Sequence, residues 1–449
     1  MAVAESDEIS YASMLGFCQL PMTTLEKFDM TKNLEIKLQE SSQNSKITKS
    51  DLAIFGGSKV RSEPMPPRMA CGDTELQAIQ ELFAHYKNRK VDFGYQDTYE
   101  RLYTEAFVQY QGVDGYADAV STGTAALFVA IATLQLPPGS HVIVSPITDP
   151  GTVSAIILNQ LVPVVADSSP NSYNMGVEQF EERITDRTKA VLVVHAAGKA
   201  APVDLISQVA RQRGIYVVED CSQAHGAKLN GQKVGVFGDI AASSTMYRKA
   251  LATGGCGGMI FTRSQELYYL ATAYADRGKA FWTSDFDAKD CTKFLFPALN
   301  FNIDEISCAL GLKSLEKLED TILKRINFLQ NLHEKIHQQS KVCQLAPISK
   351  DDSPFFHPIF VDPTNISCSK QEFAQAIQSE GIDLNPHYMY VVNEWSWVQR
   401  YLADRFTSTN ALKCRDSSFN ILFNENYGIK EAEDITAAII KVEQAYSIK

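Results

Sequence analysis

From about residue 75 the chain alternates two kinds of hydrophobic pattern. In "TELQAIQELFAHY" and "YERLYTEAFVQYQ" apolar residues recur three and four positions apart, which predicts helices with one apolar face. "HVIVSP", "VPVVAD", "AVLVVH" and "IYVVED" are short apolar runs closed by polar or turn residues, and they read as buried strands. "GVEQFEERI" and "DLISQVARQRG" have helical spacing and separate those runs. The economical architecture is α/β: a mainly parallel sheet with helices on both faces and active groups at the carboxyl ends of its strands.

Residues 303 to about 338 carry a long amphipathic pattern that predicts a helix bridging to a second domain. Beyond it "FFHPIFVD" reads as a strand, "SKQEFAQAIQSEG" as a capped helix and "KEAEDITAAIIKVEQAY" as a final helix, giving a smaller α+β domain. The expected organisation is therefore an extension over 1–50, mobile or draped on a partner, a large domain over 51–335 and a small domain over 336–449. "DLAIFGGSKVRSEPMPP" is the proline-punctuated lead-in to the folded body.

Composition narrows the ligands only a little. Against 53 Asp+Glu stand 42 Lys+Arg, a net charge of -11 with no dense basic stripe, so nucleic acid and anionic membrane are poor partners. A local anion pocket remains compatible with that average. The nine cysteines are scattered without a C-x-x-C pair, which fits a reduced cytoplasmic compartment rather than a disulfide framework. The N-terminus lacks a signal-peptide pattern and no apolar run reaches about 18 residues.

Three segments carry candidate chemistry. In "VVEDCSQAHGA" Asp220 follows an apolar strand, a place for a turn or cap residue as much as for a ligand-binding acid. In "VSTGTAALFVAIA" Gly123 and Thr124 open a helix whose free N–H groups suit a phosphate; the spacing is neither a P-loop nor G-x-G-x-x-G. In "STMYRKALATGGCGG" Lys249 stands beside Ser244 and a glycine run. An amine nucleophile, a carboxylate for a ring nitrogen and a phosphate cup are together what pyridoxal phosphate requires.

With "STGTAAL", "TDRTKAVLVVH", "VVEDCSQAHGA", "GDIAASSTMYRK", "GGCGG", "LNFNIDEISCALG" and "GIDLNPHY" in this order, the chain resembles the DegT/DnrJ/EryC1/StrS sugar aminotransferases over roughly residues 52–445. The resemblance implies a fold-type I pyridoxal-phosphate transferase, with a mainly parallel seven-stranded sheet between helices in the large domain and a small C-terminal α+β domain. It implies that Lys249 binds the cofactor aldehyde covalently and later shuttles the proton, and that Asp220 pairs with the ring nitrogen. Gln223 would pack on the ring or meet its 3-hydroxyl, and Gly123, Thr124 and Ser244 would hold the phosphate. Asn300 matches an asparagine that reaches the phosphate of the neighbouring subunit, which implies a homodimer with shared active sites. The implied reaction moves an amino group from glutamate or glutamine to a keto-sugar, commonly nucleotide-linked, or to a keto-cyclitol, the latter suggested by the lead-in.

Several positions depart from the family pattern. Asp149 falls where an aromatic residue stacks on the cofactor, so another group packs the ring or Asp149 meets polar atoms. Cys256 replaces the usual acid of the glycine run, Asn302 a usual arginine, and Arg248 a small hydroxyl residue. Tyr95, His387 and Tyr388 either line the substrate entrance, as the resemblance implies, or pack between domains; Arg248 joins them as a candidate substrate residue. Two rival readings on the same scaffold are a sugar dehydratase, whose relatives carry histidine in place of Lys249, and a non-catalytic regulator. Cys221 and His225 have C-x-x-x-H spacing, but no second ligand pair follows and no metal is expected. His195, closing a strand, reads as a hydrogen-bonded structural histidine.

Overall fold

The computed structural model describes residues 47–448; most of the N-terminal extension lies outside the described residues. Strands β1 (Tyr116–Val120), β2 (His141–Val144), β3 (Val162–Val165), β4 (Thr188–Val194) and β5 (Tyr216–Asp220) are followed by a small hairpin, β6 (Lys228–Leu229) and β7 (Gln232–Lys233), and then by β8 (Ile240–Ser244) and β9 (Gly258–Thr262). All but the hairpin form one sheet in the order β1-β9-β8-β5-β4-β2-β3. Only β9 opposes its neighbours β1 and β8; the other pairs are parallel.

The hydrophobic-run criterion finds β2 to β5 and overlooks β1, β8 and β9. In "YADAV" and "IAASS" small or polar residues replace the β-branched ones, and at the end of β8 the reason is steric. A methyl group on Gly123 would stand 2.3 Å from Cβ of Ser244, so a bulky strand end at β8 would push away the helix start it must meet.

The helices before and within the sheet are α1 (Asp73–Arg89), α2 (Thr98–Gln111), α3 (Gly123–Thr133), α4 (Pro150–Leu158), α5 (Val177–Glu181), α6 (Val203–Gln212) and α7 (Gln265–Ala275). The period-two alternation of the strands sends Val142, Val144 and Val218 against α3 and α4, while Ile143, Val191 and Val217 meet Val203, Ile206 and Ala210 of α6. Helix α3 is apolar on every side because it is buried on every side.

The single bridging helix expected over 303–338 is two helices, α8 (Glu305–Glu316) and α9 (Leu318–Gln339), which meet at Lys317. Helix α8 packs on α1 and α2, and Gly311 lets it approach Tyr103, whose Cζ would lie 2.7 Å from an added Cβ. Leu318, Ile322 and Ile326 of α9 stay in the core that α8 enters with Cys308 and Leu315, while Phe328, Leu329, Leu332 and Ile336 pass into a second core.

That second core lies under an antiparallel sheet of β10 (Cys343–Leu345), β11 (His357–Val361), β12 (Leu384–Asn385) and β13 (Ser418–Ile421), ordered β10-β11-β13-β12. Around it are α10 (Lys370–Ser379), α11 (Thr409–Asp416) and α12 (Ile429–Tyr446). Ser369 and Glu372 form the capping box that the sequence of α10 predicts. Leu52 and Met65 join this core, and Arg61 reaches Glu431 and Asp434. The lead-in thus packs with the C-terminal residues rather than with the layer that follows it in sequence.

Candidate active site

The carboxyl ends of the central strands, with the start of α3, enclose a cavity of about 250 Å³. Gly123, Thr124, Asp149, Asp220, Gln223, Ser244, Lys249 and Cys256 line it, so eight positions singled out in four separate segments converge.

Asp220 ends β5, the middle strand, and is buried. Its Oδ2 accepts from Thr152 Oγ1 at 3.0 Å and its Oδ1 from the Ser222 N–H at 3.0 Å. Thr152 in turn accepts from Thr148 Oγ1 at 2.7 Å. The carboxylate is held from behind by neutral donors, and acceptor capacity remains towards the cavity.

Lys249 follows a tight turn that the glycine run folds over: the Thr245 N–H donates to Gly257 O and the Thr253 N–H to Thr245 O. Gly257 must lack a side chain, since a Cβ would lie 2.0 Å from Thr253 Oγ1. The Lys249 amine has neither a hydrogen bond nor an ion pair among the described residues and sits 4.3 Å from the centroid of the Phe355 ring. Burial pushes it down to about 8, with Asp220 and Asp149 opposing that shift. A buried amine at that value exchanges a proton near neutrality.

The anion cup is the start of α3. Thr122 caps the Ala125 N–H at 3.0 Å, which leaves the Gly123 and Thr124 N–H groups at the open end of the helix. Ser244 lies directly against Gly123, its own N–H donating to Ser222 Oγ at 2.8 Å. An added Cβ on Gly258 would stand 2.3 Å from Thr122 O, and one on Gly151 2.5 Å from Thr124 Oγ1. Three close approaches therefore hold the cup together.

Asp149 does not stack on anything. It caps α4, its Oδ1 accepting from the Gly151 N–H at 2.8 Å, and it presents the rest of the carboxylate to the cavity. Gln223 is oriented by the Ala197 N–H, which donates to Oε1 at 2.9 Å from a residue at φ +58°.

The remaining candidates stand outside this cavity. Tyr95 is exposed and accepts from Arg277 at 3.0 Å. Arg248 is exposed over the Tyr247 ring, and Asn300 is exposed, accepting from Asn302 Nδ2 at 2.8 Å. His387 faces Lys370. Tyr388 is buried with its ring between Tyr173, Phe356 and Tyr390, and its hydroxyl is directed at Gln223, a lining residue of the cavity. Thr152 and Phe355 were not legible as site residues, because their partners Asp220 and Lys249 are distant in sequence, and Thr148 and Ser222 gain their place only through Thr152 and Asp220.

Two apparent metal groupings resolve differently. His195 Nδ1 accepts from the Ala201 N–H at 3.0 Å, so Nε2 carries the proton and meets Glu219 Oε2 at 3.1 Å. Glu219 also accepts from the N–H groups of Gly235, Phe237 and Gly238. With Cys221 these side chains lie within 4.8 Å, but the histidine and carboxylate atoms are engaged and burial pushes the thiol up. His195 is structural. His225 is buried with Nε2 unpartnered, held well below the usual imidazole range, to about 3, by burial and by Lys249.

The family model described as the DegT/DnrJ/EryC1/StrS aminotransferase family matches residues 76–438. The chain belongs to that family. It is 28% identical over 292 residues to GDP-perosamine synthase of Escherichia coli O157:H7, covering 64% of this chain and 75% of that protein. It is 28% identical over 340 residues to L-glutamine:scyllo-inosose aminotransferase of Streptomyces griseus, covering 74% of this chain and 79% of that protein. The solved aminotransferase of Psychrobacter cryohalolentis superposes with a TM-score of 0.76 at 25% identity, over 84% of this chain and 98% of that one.

This DegT/DnrJ/EryC1/StrS protein is thus a pyridoxal-phosphate-dependent aminotransferase. The cavity fits the cofactor on its own terms: an unpaired buried amine, a pre-oriented carboxylate and a glycine-built helix start are the three contacts it needs. None of its helices is long and apolar enough to cross a membrane among the described residues.

Proposed function

We propose that this chain transfers an amino group from glutamate or glutamine to the ketone of a sugar or cyclitol, as a homodimer in the cytoplasm. The observation that carries the reading is the Lys249 amine, buried and without a polar partner, in one cavity with Asp220. The names of the relatives support the donor and the acceptor class, one being a glutamine-dependent cyclitol enzyme and the other a synthase of a nucleotide-linked amino sugar. Lysine rather than histidine at position 249 favours aminotransfer over dehydration.

When bound, pyridoxal phosphate supplies the electron sink that stabilises negative charge at the donor α-carbon. Lys249 would hold the cofactor covalently and, once released, would accept and return the proton at the donor α-carbon. Its lowered basicity makes it able both to accept and to return the proton. Asp220, fixed by Thr152 and Ser222, keeps the ring nitrogen protonated. Gly123, Thr124 and Ser244 anchor the phosphate end, so that the reacting carbon is presented to Lys249. Asn300, exposed outside its own cavity, would reach the phosphate of the second copy in that homodimer.

The test is Lys249→Ala in cofactor-supplied protein. Turnover is expected to fall at least about 10⁴-fold, and the visible-edge absorbance band that borohydride abolishes in the wild type should be missing. Multiple turnovers at the wild-type rate would sink the assignment. A screen of keto-sugar nucleotides and keto-cyclitols against the amine-loaded enzyme then identifies the acceptor.

A further inference from the structure

We propose that a cleft between α2, the edge strand β1 and α7 binds a small organic ammonium ion, with Asp118 and Glu100 as its anionic floor and the Tyr269–Trp282 stack as its aromatic wall. The cleft has a volume of about 480 Å³, within the range of small-molecule sites. It shares no lining residue with the Lys249 cavity.

Asp118 is 8% exposed, lines the cleft, and has no hydrogen bond or ion pair among the described residues. Glu100, 6% exposed, accepts only from the Gln96 N–H at 2.8 Å through Oε2, leaving Oε1 without a partner. Their unpartnered oxygens open on the cleft rather than being sealed in the core, and two such carboxylates without a cation of the chain beside them among the described residues favour a positively charged ligand.

The nearby cations are committed elsewhere. Arg101 on the rim pairs with Glu105 at 3.1 Å, while Arg277 and Lys279 are both taken up by Asp276 at 2.7 and 2.8 Å. Glu305 and Asp276 add further negative charge around Glu100. Burial, with this mutual repulsion, pushes Asp118 up to about 7 and Glu100 to about 8. A bound ammonium relieves both effects.

The walls suit an organic rather than a metal cation. Tyr269 and Trp282 stack at 5.0 Å and 9°, and Tyr268 stacks on Tyr116 at 5.1 Å and 21°. Such faces attract alkylammonium groups through the ring quadrupole. An inward charge on an edge strand also guards against edge-to-edge pairing, but that role does not call for Glu100 of α2 in the same cleft.

A polyamine and the amine formed by aminotransfer to a ketone share this chemistry. Calorimetric titration of the cofactor-loaded full chain with choline, spermidine and glucosamine, with glucose as the neutral control, tests the proposal and separates the sources. Choline cannot react with the cofactor aldehyde, so its binding reports a site other than Lys249. Saturable binding of amines but not of glucose is expected, weakened at least about tenfold in Asp118→Asn, with turnover in the absence of added amine unchanged. For amine binding that is weakened in Asp118→Asn and so belongs to the cleft, tighter binding of glucosamine assigns a product-like ligand, and tighter binding of spermidine a polyamine. Trp282→Ala, which leaves both carboxylates in place, should weaken choline selectively. The proposal is overturned if no amine binds saturably, if affinity is the same in Asp118→Asn, or if that variant only self-associates more.

Discussion

Glu219 and Asp220 are consecutive carboxylates at the end of β5, both buried, and the pleat turns them to opposite faces of the sheet. Behind the sheet Glu219 accepts from His195 and three backbone N–H groups, and it is fully used. In front Asp220 accepts from Thr152 and Ser222 and still faces a cavity that holds a lysine amine. Burial alone therefore does not separate a structural acid from a functional one. What separates them is the acceptor capacity left over and the space it points into.

The comparison is broken most directly at Asp220. Asp220→Asn keeps the shape and the Ser222 contact but loses the charge opposite the ring nitrogen, and kcat should fall on the order of 10²–10³-fold with little change in urea midpoint. A variant with wild-type kcat would put the two carboxylates in the same class.

Glu219→Gln should show the converse. The amide brings a single carbonyl acceptor to four donors, so unfolding free energy should drop by about 2–4 kcal/mol, measured by urea denaturation. The kcat of the folded fraction should stay within about twofold of wild type. A loss of activity without a loss of stability would contradict the structural role of the His195–Glu219 pair.

The smallest effect tests how Asp220 is held. Thr152→Val removes one donor from the carboxylate and the acceptor for Thr148, and kcat should fall about tenfold with KM for the donor nearly unchanged. Thr152→Ser, which restores the hydroxyl, should recover most of the rate. If valine and serine behave alike, packing of α4 rather than the hydrogen bond is what Thr152 supplies.

Much of this molecule was legible from local pattern. Strands β2 to β5 declared themselves as apolar runs, α10 by its capping box and α12 by its spacing, because each buries a face with its own periodicity. Strand β8 did not, since its small end residue Ser244 answers to the helix start of α3, a contact made across more than 100 residues of chain. The break at Lys317 was equally hidden, because the apolar period continues through it and the residues on both sides enter one core.

The candidate site divides the same way. The sequence by itself singled out the candidate groups, because Lys249, Asp220, Ser244 and the Gly123–Thr124 turn are chemical types in a fixed order along the chain. Tertiary structure alone decided that Glu219 is saturated behind the sheet, that Asp149 caps a helix, that Thr152 and Phe355 stand at the site, and that Tyr388 reaches Gln223 from an aromatic cluster. The physical reason is that hydrogen-bond saturation and desolvation belong to a side chain's neighbours in space, and here those neighbours come from distant strands and from the C-terminal sheet.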